Sequence, residues 1–264
     1  MCKKYFICLS IFFTIIIGSN NCNAQLTEAQ IGELLLKIDA SIANVKTLVY
    51  KIEYTKKYLS SRDSIHTTAV CSLYIAPKDK MKAYSIVDGT FTELNITKYM
   101  HRAYDGKKTS WANCLVDSLN NFIKSEIGAS SRLNQSVVKN YSNELLTEYL
   151  SQKKPLGKYL PSAKNILVKD DIISNTPVYA LTLHFGNHDE VEDHVEKHYI
   201  RKSDLLPVAF SSFLRWENME QYNYYEVDYL AINPNITPED FKIEKNETLN
   251  AKERYAAFKE KIKK

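Results

Sequence analysis

Cysteine is nearly absent from the part of this chain that can fold. Of five cysteines, Cys2, Cys8 and Cys22 fall in an N-terminal leader, which leaves Cys71 and Cys114. Two cysteines do not make a disulfide scaffold, and without a C-x-x-C there is no thioredoxin-type redox centre. A bridge between the two and a pair of buried thiols are both open readings. Glycine is scarce as well, at 7 residues in 264. No low-complexity linker divides the chain, and no regular internal period marks a repeat architecture. The common catalytic signatures are missing too: there is no G-x-S-x-G, no Walker A loop, no G-x-G-x-x-G and no H-E-x-x-H. The expectation is a protein that is not an enzyme and has no cofactor.

One-signed charge is also lacking. The leader carries Lys3 and Lys4, and without them Lys and Arg exceed the 31 Asp and Glu by only two. That balance gives no reason to expect nucleic acid as a partner. Long apolar runs are confined to Tyr5–Gly18, 14 residues. This is too short to span a bilayer comfortably and right for the core of a secretory signal. Cys22-Asn23-Ala24 places small residues where cleavage after Ala24 needs them. The expected domains are a signal peptide over 1–24, one domain over 25–250 and a basic helix over 251–264. The expected location is periplasmic or secreted. An uncleaved anchor and a lipid-modified Cys22 are the alternatives.

What is present is periodicity. Thr27-Glu-Ala-Gln30 reads as a capping box, and Ile31, Leu34, Leu35, Ile38, Ile42 and Val45 recur on one face of a helix running to about Asn44. From Leu48 the period shortens to two. Alternating runs at 48–58, 65–75, 81–87, 91–96, 99–104 and 109–115 read as an antiparallel meander, with Asp88-Gly89 and Asp105-Gly106 as hairpin turns. Tyrosine, at 18 residues, suits such half-buried pleated surfaces. The stretch of about 117–152 loses the alternation and reads as a helical insertion. Strands resume at 165–173, 177–185, 195–200, 207–216 and 222–232. The last helix carries Tyr255, Phe258 and Ile262 on one side, and reads either as a fraying end or as an element that docks on a partner protein or an anionic membrane.

One segment concentrates histidine. His184, His188, His194 and His198 lie within "HFGNHDEVEDHVEKH", four of the chain's six. A hairpin turning near Val191 would set His184 opposite His198 and His188 opposite His194, with all four imidazoles on one face and able to bind zinc. His194 and His198 also have the spacing of a helical zinc pair, but Val195 stands where a zincin needs its Glu. A polar hairpin tip in water is the simpler account, and a slip of one residue would scatter the rings over both faces.

Three stretches together resemble a known family. They are "LLLKIDASIANVKTLVYKIEYT" (Leu34–Thr55), "TPVYALTLHF" with "KHYIRKSDLLPVAF", and "YLAINPNITPEDFKIE". A helix feeding a first strand, a long meander, and a last strand leaving through Asn-Pro are similar to the periplasmic lipoprotein carriers of the LolA/LolB type. The pattern is also similar to the N-terminal extension of secreted TlpA-type proteins. The resemblance implies an α+β fold: a strongly curved antiparallel sheet, an incomplete barrel, with helices covering its concave face. It further implies a hydrophobic cavity for a lipid, an acyl chain or a lipid-modified protein, and an envelope protein as a possible partner. Three strand faces would line that cavity: Tyr179, Leu181, Leu183 and Phe185; Phe210, Leu214 and Trp216; and Tyr225, Val227 and Tyr229.

Overall fold

A computed structural model describes residues 26–76, 84–125, 129–132, 146–150, 154–158, 160, 165–187, 190–243 and 250–263. The expected signal peptide lies outside them. The chain opens with helix α1 (Glu28–Ala43) and five strands: β1 (Thr47–Lys57), β2 (Ile65–Tyr74), β3 (Tyr84–Glu93), β4 (Ile96–Tyr104) and β5 (Lys108–Val116). Short strands β6 (Phe122–Ser125) and β7 (Ala129–Arg132) follow, then a single helical turn, Thr147–Leu150. The second run holds β8 (Asn165–Ile173), β9 (Thr176–His184), β10 (Val191–Arg201), β11 (Pro207–Trp216) and β12 (Met219–Ile232). A 3-10 turn (Pro238–Phe241) and helix α2 (Ala251–Ile262) complete it.

All twelve strands belong to one sheet, in the order β6-β5-β4-β3-β2-β1-β12-β11-β10-β9-β8, with β7 also pairing β5. The path does not return on itself, so the sheet is an open half-barrel with β8 at one edge. Its centre joins the two runs: β1 pairs β2 on one side and β12 on the other. Each neighbouring pair is antiparallel, which suits sequential strands joined by short turns.

The α1-covered face holds the main core. The Thr27 hydroxyl accepts from the Gln30 amide while the Gln30 carboxamide oxygen accepts from the Thr27 amide, closing the capping box. Ile31, Leu35, Ile38 and Ile42 of α1 then pack onto Tyr50, Ile52 and Tyr54 of β1 and onto Tyr225 and Val227 of β12. Asp39, buried on the same helix, accepts backbone N–H bonds from Leu156 (3.0 Å) and Gly157 (3.4 Å). This ties α1 to the 154–158 loop and gives a buried carboxylate its partners.

The opposite face carries a smaller core, in which α2 sets Ala251, Tyr255 and Phe258 on Val70, Tyr99, Ala112, Cys114 and Val116. The C-terminal helix is therefore a packed element rather than a frayed end, although Ile262, expected on its apolar side, is partly exposed. Cys71 belongs to the α1 face and Cys114 to the α2 face. Both are buried thiols on opposite faces of the sheet, so the bridge is not formed. Among the described residues, no helix is long and apolar enough to cross a membrane.

Two local expectations change. Asp88-Gly89 is not a turn: it sits in mid-strand, paired with His101 and Met100, and the chain reverses at Leu94-Asn95, whose φ values of 50° and 63° are left-handed. Gly89 is needed for proximity, because a Cβ there would come within 2.7 Å of the Ala69 Cβ. The start of the expected helical insertion is instead β6 and β7, which extend the sheet beside β5. Residues 133–145 of that stretch lie outside the described residues.

Candidate ligand-binding face

Register turns the α1-covered face of β9, β10, β11, β12 and β1 into rows of neighbouring side chains. One row reads Leu181, His198, Phe210, Tyr225 and Tyr54, and every member is buried. Below it, Tyr179 pairs with Ile200, Val227 with Ile52 and Tyr229 with Tyr50. Aromatic rings fill this lower part. Phe210 stacks on Tyr225 with centroids 5.4 Å apart, and Tyr50 meets Tyr229 at 6.3 Å.

The row above is different. It reads Leu183, Glu196, Ser212, Asn223 and Lys56, and all but Leu183 are half-buried. Towards the β9–β10 turn the face stays partly open. Phe185 stacks on His194 at 4.4 Å, and Leu214 sits beside Gln221. The half-barrel thus has an apolar floor and a polar upper border.

Of the ten residues expected to line a cavity, eight share this floor: Leu181, Leu183, Phe210, Tyr225 and Val227 belong to the buried core, and Tyr179, Phe185 and Tyr229 pack against it. Leu214 and Trp216 are not brought into the cluster. Strand β11 carries both to the hairpin end, where the Trp216 indole donates to Glu190 at 3.3 Å.

The four histidines divide. His184 pairs with Val195, not with His198, and its strand alternation points it away from Leu181 and Leu183. The β9–β10 hairpin sets even-numbered residues of one strand opposite odd-numbered residues of the other, Leu183 opposite Glu196 and Leu181 opposite His198. His188 lies outside the described residues. Among the described residues no three His, Cys, Asp or Glu side chains gather as a metal site. The one-face arrangement expected for the four imidazoles is therefore not the one the hairpin adopts.

What His194 and His198 do share is Glu196, which the sequence reading passed over. It stands two residues from each, so strand alternation alone puts the three on one face. His194 Nε2 lies 3.6 Å from one Glu196 oxygen and His198 Nε2 lies 3.4 Å from the other. Burial would push the Glu196 carboxyl up, but the adjacent imidazoles of His194 and His198 outweigh it and hold the group down at about 2. The Tyr149 hydroxyl shares a 2.6 Å hydrogen bond with His198 Nδ1 from above. No sequence signal pointed to Tyr149, because its partner is 49 residues away.

A groove of about 630 Å³ runs beside α1, between Leu26, Leu34 and Lys37 on the helix and Tyr179, Lys202 and Leu205 on the sheet side. Arg201 holds Asp204 through two N–H donors, and the Ser41 hydroxyl donates to the Asp204 carbonyl, which anchors α1 to this turn.

An open antiparallel half-barrel with a helix laid across an apolar face is the class that fold and site define. No family model matches the chain, and no curated protein does. Among solved structures it is similar to LprF from Mycobacterium bovis, at 8% identity and a TM-score of 0.44, covering 78% of this chain and 95% of that one. It is similar to the lipoprotein LppX from Mycobacterium tuberculosis at 9% identity and a TM-score of 0.34, covering 78% and 98%. A LolA superfamily protein from Nitrosomonas europaea matches at 9% identity and a TM-score of 0.29, covering 80% and 97%.

Proposed function

We propose that this protein binds a hydrophobic ligand, a lipid or the acyl chain of a lipid-modified protein, on the α1-covered face of its half-barrel. The observation that carries the reading is the groove beside α1. Tyr179 lines the groove and also packs on the buried core, so the groove leads directly onto the apolar rows. A concave apolar surface with a few placed polar groups is the usual form of a small-ligand site. The role is one of binding without catalysis, in a protein exported by the leader at 1–24 and meeting its ligand, or an envelope protein that delivers it, outside the cytoplasm.

Native mass spectrometry of the purified mature chain, together with solvent extraction, tests this. The expected result is a co-purifying acyl-chain species, lost when Tyr179 and Leu34 are both replaced by Asp. A mature chain that neither carries nor takes up any acyl chain overturns the proposal.

A further inference from the structure

We infer that the polar row above the floor, centred on Glu196, receives an amphiphile head that bears O–H or N–H donors and carries no negative charge. This rests on the proposed binding role and names the ligand's chemistry. Glu196 Oε2 is buried and makes no hydrogen bond of full geometry: His198 Nε2 lies 3.4 Å from it, as His194 Nε2 lies 3.6 Å from the partner oxygen. A carboxylate oxygen withdrawn from water with only this long contact costs free energy, and an incoming hydroxyl or ammonium relieves that cost. Its cross-strand neighbour Ser212, and Asn223 beyond it, sit at the same height on a half-open part of the face. Directly below lie Leu181, Phe210 and Tyr225, which are buried and apolar. Head and chain positions are therefore stacked in the order an amphiphile needs.

The sign of the charge follows from what stands near Glu196. An anionic head would enter beside a carboxylate held ionised throughout the neutral range. The cation of the same row, Lys56, is three strands away, about 14 Å along the sheet, and lies over the Tyr58 ring at 3.9 Å. It is not placed to neutralise Glu196. A free fatty acid is thus disfavoured against a hydroxyl- or amine-headed chain of the same length.

The test uses the delipidated mature chain at pH 8, loaded with the neutral dye N-phenyl-1-naphthylamine and displaced by monoolein, oleylamine or oleate. Monoolein and oleylamine are expected to displace the dye at roughly tenfold lower concentration than oleate. Their order relative to each other tells a hydroxyl head from an ammonium head. In Glu196→Gln the gap to oleate is expected to close to within about threefold, while the outward-facing Lys197→Ala leaves it unchanged. Should Glu196→Gln not fold, Glu196→Asp keeps the charge one methylene short, and it is expected to go on excluding oleate while binding monoolein more weakly. Dye uptake with oleate as effective as monoolein, or with the same gap in Glu196→Gln, overturns this inference and leaves apolar binding standing. Failure to take up dye or any amphiphile overturns both.

Discussion

Tyr149 and His198 are joined by a buried 2.6 Å hydrogen bond between the phenol hydroxyl and Nδ1, with the rings edge to face at 5.8 Å. This contact pins a helical turn onto the floor of the half-barrel. Tyr149→Phe keeps the ring and removes the bond, and is expected to lower unfolding stability by about 1–3 kcal/mol, since a ring nitrogen loses a partner in the interior. Urea denaturation at neutral pH measures it. A variant within a few tenths of wild type would show that the bond is idle.

Glu196 makes stability depend on acid. Its carboxyl is lowered from 4.5 to about 2 in the folded chain, so its stabilising contribution is complete above the unfolded value and is lost as pH falls through the folded one. The expected window is pH 5 down to 2. Glu196→Gln should flatten that part of the stability curve, read from thermal midpoints across the range. An unchanged slope would mean that the carboxyl is not held ionised by its two imidazole neighbours.

Gly89 is expected to tolerate no side chain. In Gly89→Ala the new methyl meets the Ala69 Cβ at 2.7 Å and the Thr68 carbonyl oxygen at 2.8 Å, and both belong to the next strand rather than to a flexible tip. Overpacking of this kind costs about 1–3 kcal/mol. A thermal midpoint equal to wild type would contradict the close approach of β2 and β3.

The C-terminal helix shields one thiol and not the other. Ending the chain at Asn250 removes α2 and uncovers Tyr99, Cys114 and Val116, while Cys71 stays beneath α1. One thiol is then expected to react with a maleimide under native conditions, identified as Cys114 by peptide mapping, against none in the intact chain. Labelling of both, or of Cys71 alone, would count against the two-faced arrangement. The buried Asp88 would also lose a partner, since Lys261 Nζ lies 3.4 Å from it, leaving the carboxylate to the Tyr99 hydroxyl and His101.

Much of this was legible before any coordinates. The capping box, the stripe of α1, the strands of the second run and the Asp105-Gly106 turn follow from short-range pattern, and alternation placed eight of the ten singled-out residues together on the α1-covered face. Asp88-Gly89 misled because the same dipeptide serves a different need: Gly for contact with Ala69, Asp for a buried hydrogen-bond site. The histidine register failed because the β9–β10 hairpin pairs His184 with Val195, and a turn's length, which sets that offset, does not show in strand alternation. Glu196 was readable from its parity with His194 and His198 but was overshadowed by them. Tyr149 was not readable, because only the folded chain brings it to His198.

The pairing of β1 with β12 at the centre of the sheet has a kinetic consequence. Tyr54 reaches Asn223 across 169 residues, and every hydrogen bond along that seam spans a comparable stretch. Loop-closure entropy must be met before any of it forms, which places the chain among slow folders of high contact order. Until the last strand emerges, β1 lacks its partner on one side and the apolar face under α1 is incomplete, so a chain under synthesis is an aggregation-prone half-molecule almost to the end. Interrupting the chain anywhere before Met219 is expected to leave no stable half, because β1 and β12, the first and last strands of the protein, complete each other.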